Sequence, residues 1–162
     1  MKKVILISLF LSYYPPLLAQ KQVDSLLNII KTHSQTDTSH ILAVIELANF
    51  YRYSKPDTSF TLASQALETA KKINYSKGAG RASRVMGVYY REKGDLKAAI
   101  KFLELSVGFC KKINDFDGLG FAYNSIAAIH RKEANFSMSI EYALKALLVF
   151  EQKKMKLEKL TF

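Results

Sequence analysis

The sequence predicts an all-α fold, a right-handed α-solenoid of antiparallel helix hairpins. Three observations support this prediction. First, the 162 residues are 49% hydrophobic but include only three prolines and seven glycines, too few for the many turns of an all-β fold. Second, a repeat of forty residues runs through the chain. Third, apolar residues within each repeat recur at the spacing i, i+3, i+4 and i+7, which places them on one face of a helix.

The first nineteen residues have the features of an export signal. Lys2 and Lys3 form a short basic segment, an apolar stretch follows at 4–11, and Ala19 is the small residue that signal peptidase requires before its cut. The apolar stretch is far shorter than the ~20 residues that span a bilayer. We therefore predict a signal peptide at 1–19, with an uncleaved membrane anchor as the alternative.

Two copies of the tetrapeptide Lys-Lys-Ile-Asn, which begin at Lys71 and Lys111, define the repeat. Alignment of the forty residues that follow each start gives nine identities, where chance gives roughly two or three. The tetrapeptides end at Asn74 and Asn114, and asparagine tolerates the left-handed backbone of a helix C-cap. We therefore expect each tetrapeptide to mark the end of a helix.

Each repeat is expected to contain two helices, with boundaries that follow the apolar spacing. Residues 20–162 form the predicted solenoid, with an N-terminal helix at 22–33 and three repeats at about 39–74, 77–114 and 117–153. The first helices of the repeats are expected at 41–53, 77–93 and 117–133, and the last second helix at 136–152. The expected N-caps of the second helices are Asp57, Asp95 and Asn135. Their short polar side chains can each accept a hydrogen bond from a helical N–H that lacks a partner.

A single hairpin cannot bury its apolar face, so the hairpins are expected to stack, with the first helices lining a concave groove. The last helix carries large apolar residues around much of its surface, including Leu144, Leu147 and Phe150. Two explanations stay open. Either the chain is a truncated part of a longer protein, or a partner or a second copy of the chain covers this helix.

The motif Met86-Gly87-x-x-Tyr90, followed by Ala99-x-x-x-Leu103, resembles the tetratricopeptide repeat (TPR) pattern L-G-x-x-Y…A-x-x-x-F. The next repeat has Ile126-Ala127-x-x-His130 with Ser139-x-x-x-Ala143, and the earlier one has Leu47-Ala48-x-x-Tyr51 with Ser59-x-x-x-Ala63. The chain departs from the pattern because it lacks tryptophan and because its period is forty rather than ~34 residues. The resemblance covers about 23–152 and extends to the exported N-terminal TPR regions of bacterial sensor histidine kinases and related signalling proteins.

This resemblance implies a non-catalytic scaffold that binds a protein or peptide in its concave groove and is exported to the periplasm of a Gram-negative bacterium. It also implies an alternative, the N-terminal sensor portion of a signal-transducing protein such as a histidine kinase. No membrane span is expected once the signal is cleaved, and the chain stays tethered to the membrane if the signal is not cleaved. Self-association through the uncapped C-terminal helix is a further expectation.

The charge of the chain indicates the chemistry of the partner. Loss of Lys2 and Lys3 with the signal lowers the basic side chains from 24 to 22, against 14 acidic ones, which leaves a formal charge of about +8. An exported protein of this charge is expected to bind an acidic peptide or protein rather than nucleic acid.

Arg52, Arg91 and Arg131 occupy the same place in three successive repeats. In TPR domains that place points into the concave groove, so the resemblance implies a partner-binding role for these arginines. Guanidinium groups repeated at this interval suit the carboxylates of an extended acidic segment. The alternative is that each arginine pairs with a local acid such as Glu92 or Glu133.

Three further residues are expected at the groove. The resemblance places Arg84 and Asn124 at a groove position next to that of the repeated arginines. Asn49 lies one turn beyond that position in the first hairpin and faces roughly the same way.

The remaining reactive side chains do not indicate an active site. Cys110 is the only cysteine, so it cannot form an internal disulfide, and it falls on the buried face of its helix as an inert core residue. His130 takes the place of Tyr51 and Tyr90, where a packing role is expected. We therefore expect no enzyme, no catalytic or metal-binding residues and no cofactor.

Overall fold

The computed structural model describes residues 20–159, and in that part of the chain every regular element is a helix. The helices are α1 at 20–32, α2 at Thr38–Tyr51, α3 at Pro56–Lys72, α4 at Ser76–Lys93, α5 at Leu96–Lys112, α6 at Phe116–Lys132 and α7 at Phe136–Glu158. The prediction of an all-α fold is confirmed. The signal peptide predicted at 1–19 lies outside the described residues, as do the last three residues of the predicted solenoid.

The helices form two layers. Cα atoms of α2 approach those of α4 within 8 Å, and α4 approaches α6 in the same way, whereas no such approach joins α3 to α5 or α5 to α7. Each of α3 and α5 instead packs between the inner helix before it and the inner helix after it. The arrangement is a helical solenoid, and we call the side formed by α2, α4 and α6 the inner surface.

Small residues let neighbouring helices approach closely. Ala48, Ala63 and Ala99 are fully buried where helices cross. A Cβ atom added to Gly87 would lie 2.7 Å from Cγ of Leu103 and 3.1 Å from the carbonyl oxygen of Ala99. The backbones of α4 and α5 therefore pack at a distance that only glycine permits at this position.

Most of the helix caps are formed by the residues that the sequence predicted. The Asp95 carboxylate accepts a hydrogen bond of 2.9 Å from the backbone N–H of Ala98, and the Asn135 side chain caps α7 in the same way. Asn74 and Asn114 adopt the predicted left-handed backbone, with φ of 57° and 54°. These cap predictions are confirmed.

The prediction that Asp57 caps α3 is wrong. The helix begins one residue earlier, at Pro56, because the fixed φ of proline suits the first helical position and its missing N–H needs no partner there. Lys55 occupies the N-cap position and makes no side-chain cap hydrogen bond. The Asp57 carboxylate is consequently free to contact α4.

The last helix is longer than predicted, since α7 continues to Glu158 rather than ending at 152. Two side chains of the extra turns contact α6. Lys153 forms an ion pair of 2.6 Å with Asp117, and the ammonium of Lys156 lies 5.6 Å from the ring centroid of Phe116. No glycine or proline interrupts this segment, so the helix continues. Among the helices described, none combines the length and the apolarity needed to cross a membrane.

Candidate partner-binding surface

All five arginines of the chain belong to the inner surface or its edge. They are Arg52 immediately after α2, Arg81, Arg84 and Arg91 on α4, and Arg131 on α6. Lysine is distributed differently, since only Lys77, Lys93 and Lys132 of the nineteen lysines lie on α2, α4 or α6. The residue type that can form two parallel hydrogen bonds to a carboxylate is thus concentrated on one side of the solenoid.

Arg91 and Arg131 line one open cleft. Its volume is about 360 Å³, and its walls are formed by Arg91, Glu92, Ala128, Arg131 and Lys132. Arg91 donates hydrogen bonds of 3.2 Å and 2.7 Å to Oε1 of Glu92, so this arginine is partly neutralised by a neighbour. Arg131 is exposed and has no acidic partner in the described residues. Three cations and one acid leave the cleft with a positive charge.

Glu133 does not pair with Arg131. Its Oε2 atom lies 3.3 Å from Nδ1 of His130, and the His130 ring stacks on Tyr142 with centroids 5.6 Å apart. The predicted packing role of His130 is therefore observed. Of the two local acids that could neutralise the repeated arginines, only Glu92 does so.

Arg52 lies at the other end of the inner surface, and its hydrogen-bonding capacity is incompletely used. Its Nε atom is buried without a hydrogen-bond partner. Its guanidinium carbon lies 4.4 Å from the ring centroid of Tyr53, a side chain that is 72% exposed. A cation over an aromatic face keeps its N–H groups available to an acceptor that approaches from solvent.

Arg84 lies near the middle of α4. It is half-buried, and its guanidinium carbon lies 5.7 Å from the ring centroid of Phe121, which is 52% exposed. Burial is the main cause that lowers the pKa of Arg84, the nearby Glu46 carboxylate raises it, and the Arg52 and Arg81 guanidinium groups lower it further. The guanidinium keeps its charge at neutral pH, because its ordinary pKa is so high.

Arg81 was not among the site residues predicted from the sequence. It forms an ion pair of 3.5 Å with Glu46 of α2 and so joins two inner helices. The equivalent positions in the other repeats are Leu42 and Phe121, so the comparison of repeats gave no signal there. The only feature of the sequence that could have pointed to Arg81 as a site residue was its position one turn before Arg84 on the same helix.

The two predicted asparagines differ in exposure. Asn49 on α2 is half-buried and Asn124 on α6 is exposed. Neither side chain forms a hydrogen bond within residues 20–159, so both amides are free to bind a ligand.

Cys110 is a core residue, as predicted. It is 1% exposed, and its sulfur is packed between Gly80 of α4 and Gly118 of α6. Burial raises the pKa of the thiol to about 11, with a smaller contribution from Asp115. Across the described helices and turns, no group of three or more histidine, cysteine, aspartate or glutamate residues is close enough to hold a metal ion.

Comparison with known proteins identifies the fold. No protein-family model matches the sequence, and no curated protein matches it. Among solved structures, the chain is similar to the TPR domain of Arabidopsis FLU, with a TM-score of 0.61 and 18% identity over 69% of this chain and 95% of that domain. The fold is therefore a TPR-like helical solenoid, as the sequence motifs implied.

Proposed function

We propose that the chain is a non-catalytic scaffold that binds an acidic segment of a partner protein along its inner surface. The observation that carries this proposal is the state of Arg52, Arg84 and Arg131. None of them has a carboxylate within 4 Å in the described residues, and the first two are half-buried. A carboxylate stabilises a guanidinium that has lost part of its hydration more than it stabilises a fully hydrated one. Hydrogen bonds between two charged groups are the stronger ones.

The spacing of the arginines favours an extended segment. Adjacent inner helices lie about 10 Å apart. An extended peptide in the polyproline II conformation advances roughly 3.1 Å per residue and returns its side chains to the same side every three residues. Carboxylates at every third residue of such a peptide would therefore meet the arginines of successive repeats. The exposed aromatic rings of Tyr53 and Phe121 would cover the apolar parts of the same segment.

The setting in which this binding occurs is also a proposal. The basic and apolar composition of residues 1–19 supports export, and the resemblance to exported TPR regions supports the periplasm of a Gram-negative bacterium. A role as the sensor portion of a histidine kinase or a related signalling protein rests on the same resemblance. The genomic sequence downstream tests it, because an in-frame apolar segment of ~20 residues and an output domain are required.

The binding proposal is tested with a synthetic peptide of about twelve residues that carries glutamate at every third position, which places the glutamates on one side of a polyproline II helix. Its affinity is measured by fluorescence anisotropy, and a peptide with glutamine at those positions is the control ligand. Arg131→Gln is expected to weaken binding about tenfold, the loss of one charge-assisted contact. Arg91→Glu combined with Arg131→Glu is expected to abolish binding while leaving helicity and melting temperature nearly intact.

Lys101→Gln on α5 is the matched control variant, since it removes an exposed charge from the outer layer. It is expected to leave the affinity within about twofold, because an exposed charge at that distance is screened. Equal losses for Arg131→Gln and Lys101→Gln would indicate unspecific attraction to a basic protein. Full affinity in the double arginine variant would remove the inner surface as the site.

A further inference from the structure

A pocket of about 280 Å³ lies where two hairpins meet, between the end of α3, the start of α4 and the end of α5. Apolar atoms form most of its surface, with a few polar groups around them. None of the arginines of the inner surface lines it. We call it the Ser76 pocket and define it by Lys71, Tyr75, Ser76, Ala79, Phe109 and Lys112.

The hydroxyl of Ser76 is a polar group of this pocket without a partner. Ser76 is only 9% exposed, and its hydroxyl makes no hydrogen bond within residues 20–159. Buried hydroxyls normally have a partner, as the hydroxyl of Ser59 does in donating to the carbonyl oxygen of Ala48 at 2.6 Å. The hydroxyl oxygens of Ser83 and Ser106 also lack a partner, but they are closed off in the core. Ser76 lines an open pocket, so its hydroxyl can bind a ligand that enters there.

The charge of the pocket favours an anion. Lys71 and Lys112 are exposed, neither has a carboxylate within 4 Å in the described part of the chain, and no acidic residue lines the pocket. The carbonyl oxygen of Ala70, at the end of α3, already accepts a hydrogen bond from the backbone N–H of Tyr75. Tyr75 is also the N-cap residue of α4 and supplies no side-chain acceptor, so the positive end of this helix dipole has no acid beside it.

The pocket is open because two residues in the first turns of α4 are small. Alignment of the repeats places Phe116 at the position of Ser76 and Leu119 at the position of Ala79. Both larger side chains are half-buried at the start of α6, so they occupy space that is open at the start of α4. The open space is therefore a property of this junction and not of the repeat in general.

The charges of the two junctions differ as well. Gln152 stands at the position of Lys112, so the later junction lacks one of the two cations. Asp115 stands at the position of Tyr75, and its carboxylate accepts a hydrogen bond of 3.0 Å from the backbone N–H of Gly118. The later junction thus has an acid of its own chain at the helix start. At the earlier junction, a bound anion would balance the charge in its place.

We propose that the Ser76 pocket binds a small organic acid with an apolar body. Its carboxylate accepts hydrogen bonds from the hydroxyl of Ser76 and from the ammonium groups of Lys71 and Lys112. Its apolar body lies against Ala79 and Phe109. The volume is near the lower limit of small-molecule sites, about 300 Å³, which suits an acid with a single ring or a short chain. This site shares no residue with the inner surface proposed to bind a partner protein.

The probe for the first test is 3-phenylpropanoate, because it joins one aromatic ring to one carboxylate. Its binding to the full chain is followed by NMR, as changes in backbone amide shifts during a titration. Shifts at Ser76, Ala79 and Lys112 are expected to saturate, with a dissociation constant of a few millimolar or tighter, as for other ligands of this size. The amide 3-phenylpropanamide has the same shape without the charge and is expected to bind at least about tenfold more weakly. Acetate has the charge without the ring and is expected not to saturate these shifts.

The second test changes the pocket. Lys112→Gln introduces the residue of the later junction and is expected to weaken binding of the probe at least about fivefold. Lys111→Gln is the matched control, since Lys111 is exposed in the same turn of α5 but does not line the pocket. It is expected to leave the affinity within about twofold. Ser76→Phe combined with Ala79→Leu fills the pocket and is expected to abolish binding. Circular dichroism shows whether this variant folds, and the lysine variants test the proposal if it does not.

Four outcomes contradict the proposal. Shifts that do not saturate would mean that the pocket has no useful affinity for an acid of this kind. Equal binding of the probe and its amide would show that the pocket selects an apolar shape alone. Equal losses for Lys111→Gln and Lys112→Gln would indicate unspecific attraction to a basic surface. Shifts at Arg91 and Arg131 in place of those around Ser76 would show that the acid binds the inner surface.

Discussion

The hydroxyl of Tyr89 donates a hydrogen bond of 2.9 Å to the carboxylate of Asp57. Nζ of Lys93 lies 3.2 Å from the same carboxylate. Asp57 is in the first turn of α3, whereas its two partners are near the end of α4, so a polar contact joins neighbouring hairpins beside the apolar core. The hydrogen bond from Tyr89, followed by the contact with Lys93, lowers the pKa of Asp57.

This contact predicts that the stability of the fold falls at acid pH. Because the pKa of Asp57 is lower in the folded state than its ordinary value of 3.8, the carboxylate stabilises the fold above pH 3.8, and this contribution is lost as the pH falls through the lowered pKa. Asp57→Asn should therefore lower the melting temperature at about pH 7, and it should lower it by less at about pH 2. Tyr89→Phe should act in the same direction. An Asp57→Asn penalty that is equal at both pH values would mean that the charge is irrelevant.

A second prediction concerns two equivalent turns. Gly94 and Ala134 follow the first helices of successive repeats and both have a left-handed backbone, with φ of 86° and 57°. Alanine is strained there, because its Cβ crowds the carbonyl group. Ala134→Gly should therefore raise the free energy of unfolding by about 0.5–1 kcal/mol, and Gly94→Ala should lower it by about 1 kcal/mol or more. Urea titration measures both, and stabilisation by Gly94→Ala would contradict the assigned backbone.

A third prediction uses two glycines within helices. Gly87→Ala should destabilise the protein by about 1–3 kcal/mol, because the added methyl group would overlap Leu103 and the backbone of α5. Gly108 lies in α5 with no other atom within 4 Å of an added Cβ. Gly108→Ala should therefore stabilise the protein by about 0.5–1 kcal/mol through helix propensity alone. Thermal and urea unfolding of the two variants would show effects of opposite sign if the packing is as described.

A fourth prediction concerns the thiol of Cys110. With its pKa raised from 9.0 to about 11, the thiolate fraction at about pH 8 is about 100-fold smaller in the folded chain than in the unfolded one. Iodoacetamide should accordingly modify the native protein at least that much more slowly than the protein in concentrated urea. The same shift means that the protonated thiol stabilises the fold below pH 9.0 and that this contribution is lost as the pH rises through about 11. Similar alkylation rates in both states would show that the thiol is accessible.

Most of what the sequence could predict about the fold came from comparing its repeats. Identity between repeats located the helix ends at Asn74 and Asn114, because a left-handed cap restricts the choice of residue at a single position. The start of α3 was missed because Pro56 and Asp57 are both good first residues of a helix, and proline is better at the first position. The end of α7 was missed although no glycine or proline interrupts residues 153–158, and Lys153 in this segment binds an acid thirty-six residues earlier in the chain.

The candidate site was only partly predictable. Arg52, Arg91 and Arg131 were found because one residue type recurs at one repeat position. What each arginine contacts depends on side chains of other helices, as for Arg84 with Phe121, and such contacts have no fixed spacing along the sequence. The large apolar side chains of α7 were predicted from composition, whereas it took the packing itself to show which of them stay exposed.

The wider backbone spacing between α3 and α5, and between α5 and α7, has a mechanical consequence. The backbones of the outer helices approach one another less closely than those of α2, α4 and α6, so bending that opens or closes the inner surface is resisted mainly by the contacts of the inner helices. In a solenoid each repeat contacts only its neighbours, so bending is shared among all the repeats. An acidic segment that bridged arginines of successive repeats would therefore make the solenoid more rigid and fix its curvature.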